Sequence, residues 1–204
     1  MRSHFQFPQT YISKLASKAK KNGKYTWNKP ISRHLPNGKV VSEGEELLML
    51  AGYSYLGYIS DKKVSDSALH AIDTYGLGTH GTRPNCGTTE IHLELESLLC
   101  QVTRSSSATL FPSGFQANIS TIAALVGKND IIMGDELNHA SIVDGCKLSP
   151  AEFRAFKHNS LDDLKRILKE SGSFDNRLII VDSIFSMDGD MAPVPELCLS
   201  LIHI

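Results

Sequence analysis

The sequence predicts an α/β protein whose mostly parallel sheet is flanked by helices. Three observations carry this reading. Short apolar runs recur at residues 130–133, 153–156 and 177–182; helix-like stretches separate them; and the connections between them are short. Strands that alternate with helices over such links form right-handed βαβ units, which set the strands parallel.

Residues 1–60 read differently, as a Pro- and Gly-punctuated arm leading into this domain, with possible strands at 38–41 and 46–50. The first forty residues carry Lys and Arg repeatedly and no acid before Glu43. A solvated helix over 11–21 accounts for them better than an organellar leader, because the stretch is rich in Lys rather than Arg.

From Thr88 onward, Ile91, Leu95, Leu98, Leu99 and Val102 recur at helical spacing and draw one apolar face, with Thr88 or Thr89 as the expected cap. Residues 108–111, the turn Pro112-Ser113-Gly114 and the stretch 115–126 read as strand, tight turn and helix. The pattern then repeats, with a strand at 130–133, a helix over 139–147, a strand at 153–156 and a helix over 161–169. Ser160-Leu161-Asp162-Asp163 fits a capping box at the start of that last helix. The run 177–182 (Arg-Leu-Ile-Ile-Val-Asp) is the kind found in a strand covered on both faces.

Composition excludes several classes. A net charge of −1 lacks the clustered basic surplus of a nucleic-acid binder. Cys86, Cys100, Cys146 and Cys198 form no C-x-x-C pair, which argues against a zinc site or a disulfide framework and for a reducing cytoplasm. No apolar run reaches the roughly 18 residues that span a bilayer.

In an open α/β sheet, ligands bind beyond the carboxyl ends of the strands, where loops meet helix amino termini. Ser113-Gly114-Phe115 occupies such a loop, and the N–H groups that open the following helix suit a phosphate. His139 follows the next strand on the same edge, and Ser186 lies beyond the strand at 177–182, so by topology the three loops can converge. Asp188-Gly189-Asp190 lacks the remaining ligands of a calcium loop and reads as a turn. Gly76, Gly78, Gly81 and Gly87 do not have the spacing of a dinucleotide loop.

Taken in order, several segments resemble the motifs of the α-oxoamine synthases. They are Tyr55-Leu56-Gly57, Tyr75-Gly76-Leu77-Gly78-Thr79-His80-Gly81-Thr82-Arg83, Phe111-Pro112-Ser113-Gly114-Phe115-Gln116-Ala117-Asn118, Asp135-x-x-Asn138-His139-Ala140-Ser141 and Phe185-Ser186-Met187-Asp188-Gly189-Asp190. That group includes 5-aminolevulinate synthase, 8-amino-7-oxononanoate synthase, 2-amino-3-ketobutyrate CoA ligase and serine palmitoyltransferase. The resemblance implies a fold-type I pyridoxal 5'-phosphate (PLP) transferase with an incomplete large domain over 61–197, and a homodimer when full length. It implies that the Ser113 loop, through the backbone at Gly114 and Phe115, holds the cofactor phosphate. His139 would stack on the pyridine ring as the catalytic residue of this set, and Ser186 would bond near the phenolic oxygen. The implied reaction condenses a small amino acid with an acyl-CoA or acyl-carrier-protein thioester.

The family's Schiff-base lysine follows an Asp-Glu-Ala-His-type segment, and no lysine in this sequence stands in that context. The chain is therefore expected to be an amino-terminal fragment that does not catalyse alone, with 198–204 as a non-native tail. Gly52-Tyr53-Ser54 stands where many members have Asn or Asp, a version closer to the sphingoid-base or polyketide branches. Two other readings remain: a non-catalytic partner subunit of a serine palmitoyltransferase-like heterodimer, and another fold-type I enzyme such as an aminotransferase.

Overall fold

The computed structural model describes residues 11–23 and 29–202, so the ends of the basic stretch and of the tail, Arg2, Lys24, His203 and Ile204 among them, lie outside the described residues. The chain divides into two compact units, Met1–Thr89 and Glu90–Ile204.

The first unit opens with α1 (Tyr11–Lys21), the helix expected there. Three antiparallel strands follow in the order β1 (Ile31–His34), β2 (Lys39–Ser42) and β3 (Glu45–Leu48). Glu43 and Gly44 alone join β2 to β3, with φ of 53° and 87°. Two consecutive left-handed residues make the tight hairpin turn that matches strand twist, which is why Gly stands second. β1 was not expected: all four of its residues are exposed, and its pairing with β2, rather than its own pattern, makes it a strand. Helix α2 (Lys62–Tyr75) is capped by Asp61, whose carboxylate accepts from the Val64 N–H at 3.1 Å. A cavity of about 350 Å³ lies in this unit, with Val40, Met49, Tyr53, Ser54 and Ile59 among its walls.

The second unit holds α3 (Glu90–Thr103), α4 (Gly114–Leu125), β4 (Ile131–Asp135), α5 (Ala140–Leu148), β5 (Glu152–Phe156), α6 (Leu161–Glu170), β6 (Arg177–Ile180) and α7 (Val194–Ile202). Its sheet is parallel, in the order β5-β4-β6, so β4 is central and buried along its whole length. Alternation divides its side chains between two cores. Ile131 and Met133 pack with Leu164, Ile167 and Leu168 of α6 and Leu197 of α7. Ile132 faces the other way, with Ile122 and Val126 and with Ile142 and Cys146 of α5. Each such side chain contributes about 1.5–3 kcal/mol by burial. Both faces of β4 are apolar, which explains its unbroken Ile-Ile-Met run.

Two local expectations change. Residues 108–111 do not form a strand, because no neighbouring backbone among the described residues pairs with them. The capping box is half made: the Ser160 hydroxyl accepts from the Asp163 N–H at 3.2 Å, but the Asp163 carboxylate takes the Lys157 N–H at 2.9 Å and the Arg166 guanidinium instead of returning to Ser160. No helix among the described residues is long and apolar enough to cross a membrane.

Candidate cofactor-binding site

The carboxyl ends of the parallel strands are tied together by short polar side chains. Asn138, buried after β4, donates through Nδ2 to the Ile180 carbonyl at 2.9 Å and accepts at Oδ1 from the Asp182 N–H at 2.9 Å. These two bonds staple the β4 loop to the end of β6. Asp182 in turn accepts from the His139 N–H at 2.6 Å. The start of α5 is thereby fixed from outside its own helix.

His139 caps α5. Its Nδ1 accepts from the Ser141 N–H at 3.1 Å and lies 2.6 Å from the Ser141 hydroxyl. That hydroxyl also accepts from Asn118 Nδ2 at 2.9 Å. The set is satisfied when Ser141 donates to Nδ1, which leaves the His139 proton on Nε2. Asn118 belongs to α4, so one hydroxyl pins the amino-terminal turns of α4 and α5 side by side. Gly145 permits the approach: a Cβ there would sit 2.9 Å from Ile122 Cδ1 and 3.2 Å from Ile119 Cα.

At the start of α4, the Ser113 hydroxyl accepts from the Gln116 N–H at 3.1 Å and the Ser113 carbonyl from the Ala117 N–H at 3.0 Å. Among the described residues, nothing accepts from the N–H groups of Gly114 and Phe115, and a Cβ on Gly114 would meet no atom within 4 Å. Two donors at a helix amino terminus with open space before them suit an anion. The Phe115 ring stands edge-on to the His139 ring, 6.5 Å between centroids at 78°. His139 is exposed, so one ring face is available to a flat partner.

The structure thus brings Ser113, Gly114, Phe115 and His139 onto two adjoining helix starts. Ser186 is placed in the exposed turn between Ile184 and Met191 and, among the described contacts, makes none with His139. The Phe185 N–H donates to the Asp190 carbonyl at 2.9 Å and the Gly189 N–H to the Phe185 carbonyl at 2.8 Å, closing a turn in which Gly189 has φ 77°. Phe185 is buried at its base.

Sequence reasoning gave no role to Asn118, Asn138, Ser141, Asp182 or His158. The first four lie within or beside the motifs already singled out. His158 follows β5 as His139 follows β4, so the strand-end rule pointed to it equally. Cys146 is no candidate nucleophile, since burial pushes its thiol up to about 11.

The residues present fit PLP. A paired N–H cradle offers a place for its phosphate, and an exposed, tautomer-fixed imidazole offers a platform for its ring. A family model for class I and II aminotransferases matches residues 46–201. The 8-amino-7-oxononanoate synthase of Symbiobacterium thermophilum is 43% identical over 77% of this chain and 40% of its own length. The serine palmitoyltransferase of Sphingobacterium spiritivorum is 38% identical over 90% of this chain and 46% of its own length. Among solved structures, serine palmitoyltransferase from S. paucimobilis with a bound PLP–myriocin aldimine superposes with a TM-score of 0.90 at 29% identity, covering 94% of this chain and 48% of that one. The chain spans less than half the length of each of these relatives. It belongs to the class I and II aminotransferase family, within its α-oxoamine synthase group.

Proposed function

We propose that this chain is the amino-terminal part of a PLP-dependent acyltransferase that condenses a small amino acid with an acyl-CoA or acyl-carrier-protein thioester. The observation that carries the reading is the pairing of the free N–H groups of Gly114 and Phe115 with the His139 platform on two helices pinned by Asn118 and Ser141. In this reading the two N–H groups hold the phosphate, with Ser113 fixing the turn that presents them. His139 lies against the pyridine ring and keeps water from that face, its orientation set by Ser141 and by Asp182. Ser186 reaches the phenolic oxygen from the Ile184–Met191 turn. Bound PLP supplies the electron sink for an amino-acid carbanion.

Residues 1–60 form the arm and 61–197 the partial cofactor domain in this proposal, and α7 runs on through Ile202. The family's Schiff-base lysine, which the resemblance places after an Asp-Glu-Ala-His-type segment, has no counterpart among the lysines of this chain. The complete protein acts as a cytoplasmic homodimer.

The test follows thiol release from an acyl-CoA series in the presence of small amino acids, using protein from the complete reading frame. Amino-acid-dependent release that requires PLP and falls at least tenfold in His139→Ala is the expected result. Release that ignores PLP, or that needs no amino acid, would overturn the proposal.

A further inference from the structure

His158 stands between two carboxylates. Its Nδ1 lies 2.9 Å from Asp135 Oδ1 at the end of β4, and its Nε2 lies 2.9 Å from Asp190 Oδ2 in the Ile184–Met191 turn. We infer that His158 is a positioning residue: by donating from each ring nitrogen to a different carboxylate, it clips the turn that carries Ser186 to the end of β4. The inference rests on the proposed role of Ser186, because without that role the clip would order a turn of no chemical consequence.

A carboxylate only accepts, so both contacts are hydrogen bonds only when each ring nitrogen donates, as in the doubly protonated ring; in the neutral ring Asn159 Nδ2, 3.2 Å from Nε2, is placed to donate to that nitrogen instead. Asn159 repeats the link, donating from its backbone N–H to Asp135 Oδ2 at 2.8 Å and from Nδ2 to Asp190 Oδ2 at 3.0 Å. The Phe185 ring packs edge-on against the imidazole at 4.5 Å and 90°. The charged groups facing His158 among the described residues are Asp135 and Glu136 after β4, the latter accepting from its backbone N–H at 3.1 Å, and Asp190 in the turn. The hydrogen bonds to Asp135 and then to Asp190 raise the imidazole from 6.5 to about 8.

Loss of the proton sets a lone pair against a carboxylate at one end. Asp135 is 1% exposed and keeps the Leu137 and Asn159 N–H donors, whereas the Asp190 side chain is 46% exposed. Water can replace the imidazole at Asp190 and not at Asp135. The clip therefore opens on the Asp190 side, and the turn loosens as pH rises through about 8.

The test uses imidazole ¹⁵N NMR and amide exchange of the intact protein, first without PLP. The expected result is two protonated ring nitrogens at neutral pH, lost with a midpoint near 8. Asp190→Asn should lower that midpoint and speed exchange of the Phe185 and Gly189 amides, the two bonded within the turn, about tenfold at neutral pH, the scale of one charge-assisted hydrogen bond. His158→Gln should loosen the same amides and abolish the pH dependence of their protection. Turn protection unchanged in both variants, or a wild-type midpoint at the ordinary histidine value, would overturn the inference. The PLP-loaded protein then isolates the role of Ser186: if Ser186→Ala leaves PLP affinity and absorption unchanged while the exchange results hold, the assignment of Ser186 fails and the clip stands.

Discussion

Gly114 separates the requirements of the fold from those of the ligand. A Cβ there meets no atom within 4 Å, and Gly114 is the first residue of α4 without a left-handed φ. Gly114→Ala should therefore stabilise the ligand-free protein by about 0.4–1 kcal/mol through the lost freedom of the unfolded chain. The same open space is where an acceptor must approach the Gly114 and Phe115 N–H groups. A valine side chain fills it, and weakening even one charge-assisted bond, worth about 1.5–3 kcal/mol, corresponds to a loss of affinity of about 10- to 100-fold. Thermal melts without ligand, paired with a PLP titration followed by absorption, give both quantities on one sample. Gly114→Val should melt close to wild type and bind PLP at least tenfold more weakly. Wild-type PLP affinity in Gly114→Val would refute the phosphate cradle.

Other perturbations address the supports of the site. Asn138→Ala strips partners from the Ile180 carbonyl and the Asp182 N–H, and should cost about 2–4 kcal/mol in urea unfolding; a loss below 1 kcal/mol would show that the staple is dispensable. Gly145→Ala drives a methyl toward Ile122 and Ile119 and should cost about 1–3 kcal/mol, with weaker PLP binding as α5 moves from α4. The His158 contribution to stability is complete below its unfolded value near 6.5 and is lost as pH rises through about 8, so the melting temperature should fall across that window in wild type and stay flatter in His158→Gln. Asp130 behaves oppositely. The Gly127 N–H and then Asn176 hold its carboxyl low, so its stabilisation is present above the ordinary carboxylate range and fades as pH falls through the depressed value; Asp130→Asn should blunt the acid limb of the melting curve.

The parallel sheet and its helices were legible because each element carries its own signal. The Ile131-Ile132-Met133 run is apolar on both faces, and α6 begins at Ser160 with a usable cap. β1 left no such trace, since Ile31, Ser32, Arg33 and His34 become a strand only through pairing with β2. Residues 108–111 failed for the opposite reason: an apolar run suited to a strand has no described neighbour to pair with. Within the site, Ser113, Gly114, Phe115 and His139 could be placed on one edge by topology. The bonds that fix them could not, because Asn118 reaches Ser141, and Asn138 reaches Ile180, across chain separations that local patterns do not report. His158 was readable by the same strand-end logic as His139, but its two carboxylate partners come from β4 and from a distant turn.

The central claim is that the paired starts of α4 and α5 form the PLP site, and a crystal structure of the protein grown with PLP tests it most directly. The account predicts phosphate oxygens within about 3 Å of the Gly114 and Phe115 nitrogens, with the pyridine ring against the His139 imidazole. A phosphate bound elsewhere, or a cofactor ring that does not touch His139, would contradict it.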